Sequence, residues 1–401
     1  MLAVQGLRAL LYGFGAVLLG SVLAAEGLSA VGAGAIFTST LLGMAVGSLA
    51  VGRFGEAIGR RRLYAVLFLV LGAAGAVFAL TSWLPLLILA ALTGTVSTDA
   101  NESGPITSLE QAMLSAAPAD TRVRVFGTYN AVAYFAGCIG ALAAGGPSAL
   151  RHLIPSIPPD QRWLLAFPVI AAVCLLLALR LPSDAERTPQ QRGQHGLRRS
   201  KQSVRRLAAL FSLDSFAGGL VVQSFIVFWF ERRFGTSIEV MATVFFGVGL
   251  LQALSSLMAP WIARRAGLLY TMVFTHLPSN VLLALVPLMP TMSLAVALLL
   301  LRSALSQMDV PTRQAYLAAL VDPNERTAAV AYTNSARYAS RPAAPALAGT
   351  LMQTTGLALP FLLAGGMKCV YDLAILVLFR SVKLPAEARE RPVVASEALA
   401  E

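Results

Sequence analysis

Apolar runs of bilayer length recur along almost the whole of this chain, and that recurrence limits its folding more than any other feature. A helix needs roughly 20 consecutive apolar residues to cross a hydrocarbon core. Runs of this kind read at 6–26, 32–54, 63–82, 84–115, 123–146, 162–181, 205–230, 238–262, 268–289, 293–319, 327–352 and 358–380. Hydrophobic residues make up 57% of the chain and charged residues only 13%, with a mean hydropathy of +0.70. No soluble domain has a core large enough for that mixture. The expected fold class is therefore an all-α membrane protein with twelve transmembrane helices.

Most connections between the runs are very short. The exception is 182–204, rich in Arg, Gln, Ser and Pro, which reads as a solvated linker. It divides the chain into an N-terminal six-helix bundle over 1–181 and a C-terminal one over 205–384, with a tail at 385–401. A weak internal repeat supports the division. Arg122, Asn130 and Tyr134 recur 204 residues later as Arg326, Asn334 and Tyr338, and Gly59 after the second run has a counterpart in Gly267 after the eighth. Charge asymmetry sets the orientation. With a cytoplasmic N-terminus, the cytoplasmic segments hold 21 Lys and Arg and the external loops four, as the positive-inside rule requires. The linker, the tail and both termini then lie in the cytoplasm. Arg8, the run after it and the small residues at Ala24 and Ala25 fit a signal peptide loosely. Its cleavage would leave eleven spans and unpair the halves, so the first run is read as a retained helix.

Several function classes fall away. A sequence pI near 10.1 invites nucleic acid, but the basic residues lie between apolar runs and are not gathered on a soluble domain. Cys138, Cys174 and Cys369 all sit inside apolar runs without ligand spacing, so neither a disulfide framework nor a metal site is expected. There is no Gly-rich phosphate loop ending in Gly-Lys-Ser/Thr, and no cofactor is expected. Three His, at 152, 195 and 276, form no Ser/His or metal constellation for an intramembrane enzyme.

Between the second and third runs stands Gly52-Arg53-Phe54-Gly55-Glu56-Ala57-Ile58-Gly59-Arg60-Arg61-Arg62. It resembles the loop signature of the major facilitator superfamily, which joins transmembrane helices 2 and 3 on the cytoplasmic side. Gly52 suits close packing, Gly59 a tight turn, and the Arg cluster anchors the loop in the cytoplasm. Many members carry Asp followed by a basic residue where this chain has Glu56 and Ala57. The resemblance makes Gly52, Glu56, Gly59, Arg60 and Arg61 a gate motif, with Glu56 docking near the start of span 11. Asp309-Val310-Pro311-Thr312-Arg313-Gln314-Ala315-Tyr316, followed by Asp322-Pro323-Asn324-Glu325-Arg326, resembles the span 10–11 region of bacterial facilitator-type exporters. Together these resemblances cover essentially the whole chain. They imply a monomeric secondary transporter of a small-molecule substrate in a bacterial inner membrane. Such a transporter works by alternating access, with spans 1, 4, 7 and 10 around a central cavity.

Ten charges fall in the interior of the runs, away from their ends: Asp99, Glu102, Asp214, Arg302, Asp309, Arg313, Arg337, Arg341, Lys368 and Asp372. Each costs at least ~2.5–3.5 kcal/mol near the bilayer centre, so each needs a partner or a wet cavity. Helical spacing places Arg302, Ser306, Asp309 and Arg313 on one stripe, and Asn334, Arg337, Tyr338 and Arg341 on another. Thr95, Asp99 and Glu102 share a face of span 4. Asp99, Glu102 and Asp214 are candidates for binding the coupling proton. Arg302, Asp309, Asn334, Arg337, Tyr338, Arg341 and Tyr134 are candidates for substrate contact or ion pairing. Guanidinium forks at Arg337 and Arg341 suit carboxylate or phosphate. Lys368 and Asp372, four apart, are expected to pair with each other. His276 with Asn280 reads as a satisfied polar kink, and Glu110 as interfacial. Buried carboxylates favour proton coupling. Proton antiport that exports the solute is the first reading; proton symport or passive facilitation of a small, possibly anionic, metabolite is the second.

Overall fold

The computed structural model describes residues 1–99, 104–114, 119–180, 200–321 and 325–382, and among them it contains only helices and their connections. In chain order the α-helices are α1 (Leu2–Ala25), α2 (Ala30–Ile58), α3 (Arg60–Leu80), α4 (Leu84–Ala91), α5 (Pro105–Leu114), α6 (Ala119–Ala143), α7 (Gly146–Leu153), α8 (Ala166–Leu179) and α9 (Lys201–Gly219). There follow α10 (Gln223–Phe234), α11 (Ile238–Ala266), α12 (Leu268–Leu285), α13 (Met292–Ser306), α14 (Asp309–Leu320), α15 (Arg326–Ser340), α16 (Ala343–Thr354) and α17 (Leu359–Phe379).

Among the described residues, ten segments are long and apolar enough to cross a membrane. The expected spans at 84–115 and 327–352 are not among them. The first is split into α4 and α5, only 8 and 10 residues long. The second is split into α15 and α16, of 15 and 12 residues. Two further expected spans break at their middles: 205–230 between α9 and α10, and 293–319 between α13 and α14. The breaks have local causes. Pro342 lacks the N–H that would continue α15. In 92–104, Thr, Ser and Gly replace strong helix formers. There the Thr93 hydroxyl donates to the Ala90 carbonyl and Ser97 Oγ to the Asp99 carbonyl, the local competition with helix that such side chains offer. Thr95 and Asp99 therefore do not share a helical face as the spacing predicts, and Glu102 lies outside the described residues.

Packing follows the repeat. In the first eight helices, α1 crosses α6 and α3 lies on α8; in the last nine, α9 crosses α15 and α12 lies on α17. The turns correspond too: Gly59 joins α2 to α3 at φ 89°, and Gly267 joins α11 to α12 at φ 85°, a region that glycine enters without penalty. The motif at 52–62 is thus mostly helix with a one-residue turn. Arg60 is buried and Arg61 donates to the Leu179 carbonyl, so these two do not simply extend into solvent. The surroundings of Gly52 and the side chain of Glu56 lie outside the described residues.

The two sets of helices touch chiefly through α1 with α10, α2 with α16 and α6 with α11. Ser21 Oγ donates to Glu231 Oε2 at 2.7 Å, Arg232 donates to the Leu28 carbonyl at 2.7 Å, and the Ala346 N–H donates to Thr38 Oγ1 at 2.8 Å. Gly34 lies against Gly349 and the Pro345 carbonyl, and Gly145 against Glu239. These contacts gather at one end of the molecule and close it.

Close helix approach is tested by the α1–α6 crossing, where a Cβ on Gly140 would stand 1.9 Å from the Leu10 carbonyl oxygen. Gly140→Val should cost about 1–3 kcal/mol through overpacking and lower the thermal unfolding midpoint in detergent. Gly366→Ala on α17, where nothing stands within 4 Å of the new methyl, should be neutral or raise it.

Candidate functional site

A cavity of about 500 Å³ lies between the two sets of helices, with walls contributed by α1, α5, α6, α9 to α15 and α17. Its lining includes every described residue singled out from the sequence for proton or substrate contact: Asp99, Tyr134, Asp214, Arg302, Asp309, Asn334, Arg337, Tyr338 and Arg341. Arg302, Ser306, Asp309 and Arg313 all face it although the helix breaks between Ser306 and Asp309. Tyr129 and Asn130 line it as well. Gly59, Arg60 and Arg61, the described residues of the gate motif, do not.

The break after α4 is repaired by its neighbours. The unwound carbonyl of Thr95 accepts from Tyr12 Oη on α1 at 2.7 Å. That of Thr98 accepts from both the N–H and the hydroxyl of Ser224, at the start of α10, at 3.0 Å each. Ser224 Oγ also lies 2.8 Å from the Ala16 carbonyl. Irregular backbone at membrane depth is tolerated only with such partners. Beside this knot, Asp99 Oδ1 accepts from the Gln223 N–H at 2.7 Å, while Oδ2 pairs with Arg341 at 2.9 Å. Asp99 therefore joins the two sets of helices.

The remaining acids are held within one set. Asp214 on α9 lies 2.5 Å from Lys368 Nζ on α17 and 3.3 Å from Arg313 on α14, and Arg313 also pairs with Asp309 at 3.1 Å. Lys368 and Asp372 do not pair with each other. Asp372 instead accepts from Asn280 at 2.9 Å and lies 2.9 Å from His276 Nδ1, both on α12. Their shared face is wide enough for each to find a different helix, and Asp214 gives Lys368 a closer partner. His276 Nε2 lies 4.0 Å from Asp214, which links the two clusters into one polar seam. Arg313 belongs to this seam.

A second cluster was not anticipated. Arg8 on α1 pairs with Glu110 on α5 at 2.6 Å and donates to the Gln5 side chain and to Tyr129 Oη. Tyr129 on α6 and Tyr64 on α3 donate to the two oxygens of Glu110 at 2.5 Å each. Glu110 is fully buried and not interfacial. The available signal was that both charges stand within apolar stretches. Arg8 lies well inside α1 because that helix begins at Leu2, four residues before the expected span. Removing one partner of a buried ion pair strands the other charge, at about 3–5 kcal/mol. Glu110→Gln should lower the unfolding midpoint strongly, and Arg8→Gln with Glu110→Gln together should cost less than the sum of the two, measured as a double-mutant cycle in detergent.

Among the described residues, no group of His, Cys, Asp and Glu could hold a metal ion. Comparison with known proteins gives the chain its relatives. Over 94% of its length it is 24% identical to an uncharacterised membrane protein of Saccharomyces cerevisiae, 92% of which is covered. Its fold superposes on the nucleoside transporter NupG with a TM-score of 0.73 at 14% identity, covering 94% of this chain and 98% of that one. For a D-xylose–proton symporter the score is 0.67 at 16% identity (93% and 96% covered). For the human organic anion transporter MFSD10 it is 0.59 at 16% identity (93% and 98% covered). The Major Facilitator Superfamily profile matches residues 2–306. With that match, a helix-walled central cavity and ten bilayer-length segments, this chain is a multi-pass membrane protein of the Major Facilitator Superfamily.

Proposed function

We propose that the chain is a secondary active transporter that moves a small organic solute by alternating access, coupled to protons. The observation that carries this reading is the charged cavity between two sets of helices that meet at one end. In the orientation inferred from charge asymmetry, the closed end is external and the cavity belongs to the cytoplasm-facing state. The split pairs α4–α5 and α15–α16 would complete a twelve-span arrangement. The bundles would be 1–181 and 205–384, with 182–204 and the 385–401 tail cytoplasmic. A monomer in a bacterial inner membrane is sufficient for this design. Export is the direction we assign, on the resemblance of the 309–326 segment to bacterial exporters.

Coupling rests on Asp99 and Asp214. Each carboxylate faces the cavity and is held by a cation. Protonation of Asp99 removes its attraction for Arg341, an ion pair that bridges the two sets of helices. Rocking of the sets about the cavity would then trade that pair against proton binding.

Proteoliposomes with an imposed pH gradient test the coupling. The wild-type chain should concentrate its solute, and a protonophore should abolish accumulation. Asp99→Asn should lose gradient-driven accumulation while retaining solute exchange. Accumulation that survives both the protonophore and Asp99→Asn would show that protons do not drive the cycle.

A second experiment tests alternating access. With Cys138, Cys174 and Cys369 replaced by Ser, a Thr38→Cys, Ala346→Cys pair should cross-link the closed end, where these residues already touch. Oxidation should stop transport and reductant restore it.

A further inference from the structure

The charges around the cavity do not balance. Among the described residues, six basic side chains line it, from Arg8, Arg302, Arg313, Arg337, Arg341 and Lys368, against three acids, Asp99, Asp214 and Asp309. Glu110, behind the wall, compensates Arg8. Asp99 compensates Arg341, Asp214 compensates Lys368, and Asp309 compensates Arg313. Arg302 on α13 and Arg337 on α15 are left over. Among the described residues, neither guanidinium has a carboxylate at ion-pair distance, and the Nε of each is buried without a hydrogen-bond partner. Arg337 stands within electrostatic reach of Arg313 and Arg341 and also of Asp214 and Asp309, but both acids are already ion-paired to Lys368 and Arg313.

Two uncompensated guanidiniums in a low-dielectric wall are costly unless the cavity's occupant supplies the missing negative charge. We infer that the transported solute is a small organic anion whose carboxylate or phosphate group is bound by Arg302 and Arg337. The inference rests on the transporter reading and names the substrate class of its cavity. It shifts the anion contact from the Arg337–Arg341 pair suggested by helical spacing, because Asp99 already occupies Arg341. Planar forks of N–H donors match both acid groups. Tyr134, Asn334 and Tyr338, on the same cavity, offer hydroxyl and amide groups to a polar body attached to the anion. The guanidiniums come from two helices of the second set, so one multivalent anion can bridge α13 and α15.

Full-length protein in proteoliposomes tests this with four separate internal pools. One holds succinate, citrate and glutamate; one glucose 6-phosphate and glycerol 3-phosphate; one xylose and uridine; one putrescine and spermidine. Release is read by mass spectrometry against protein-free vesicles. Export of a carboxylate or a phosphate compound is expected, and which of the first two pools is drawn on distinguishes the two acid groups. Arg302→Gln and Arg337→Gln should each raise the half-saturating concentration at least ~10-fold, as loss of a charge-assisted hydrogen bond implies. Arg302→Lys and Arg337→Lys should recover part of it. Ser306→Asp keeps both arginines but places a carboxylate four residues from Arg302 on α13; it should weaken anion transport as an internal competitor. Size-exclusion elution of each variant reports its folding. Release of neutral or amine solutes alone, or anion release unchanged in both Gln variants and in Ser306→Asp, overturns the inference and leaves the transporter reading standing. No release from any pool by well-folded protein overturns both.

Discussion

The need to pair every charge within a low-dielectric slab organises this molecule. A lone ionised side chain in hydrocarbon costs several kcal/mol, so charges on separate helices dictate which helices touch. Glu110 draws together α1, α3, α5 and α6 through Arg8, Tyr64 and Tyr129. Asp214 does the same for α9, α14 and α17 through Arg313 and Lys368, and Asp372 adds α12. Apolar packing cannot supply that choice of partner, because lipid tails are as apolar as a leucine face. Polar pairs specify neighbours, and small residues then let the chosen helices come close, as Gly13 and Gly137 do where α1 crosses α6.

Backbone polarity obeys the same constraint. Unwinding 92–99 frees carbonyls at membrane depth, and Tyr12 and Ser224 return hydrogen bonds to them. The break thereby becomes the place where α1, α10 and the unwound strand of chain meet. It also releases Asp99 from a helical register and lets one carboxylate reach both the Gln223 N–H and Arg341. A regular helix through this region would aim Asp99 by its own axis. The irregular segment aims it by the partners it finds.

Much of this was legible in the sequence, because hydropathy and charge position are one-dimensional signals. Apolar runs marked the helices, the 52–62 motif marked the family, and intramembrane charge marked the cavity wall. The breaks were less legible. Thr93 to Asp99 holds a single strongly apolar residue, Val96, and was carried into a run by the apolar residues before it; its hydroxyl-rich composition was the hint of unwinding. Partner choice was not legible at all. Lys368 and Asp372 have ideal i, i+4 spacing, a local rule, yet each found a different helix because tertiary neighbours compete with local ones. Arg8 and Glu110 were passed over since a few residues of uncertainty in a span boundary move a charge from the slab to its surface.

The ion pairs differ in exposure, and the difference separates what holds from what moves. Side-chain exposure is 3% and 1% for Arg8 and Glu110, and 9% and 7% for Lys368 and Asp214. Water cannot replace those partners, so separating them carries the full desolvation cost, and they keep each set of helices rigid. Arg341 and Asp99 are 26% and 25% exposed, and theirs is a pair on the cavity wall that crosses between the sets. Water or a bound ion can take over from either partner, so this pair can open at modest cost. The other cross-set contacts are largely glycine-backed packing and single hydrogen bonds at the closed end, which give no large electrostatic barrier to separation. Motion between the sets should therefore proceed with each set intact, and its equilibrium should respond most to whatever competes for Asp99 and Arg341.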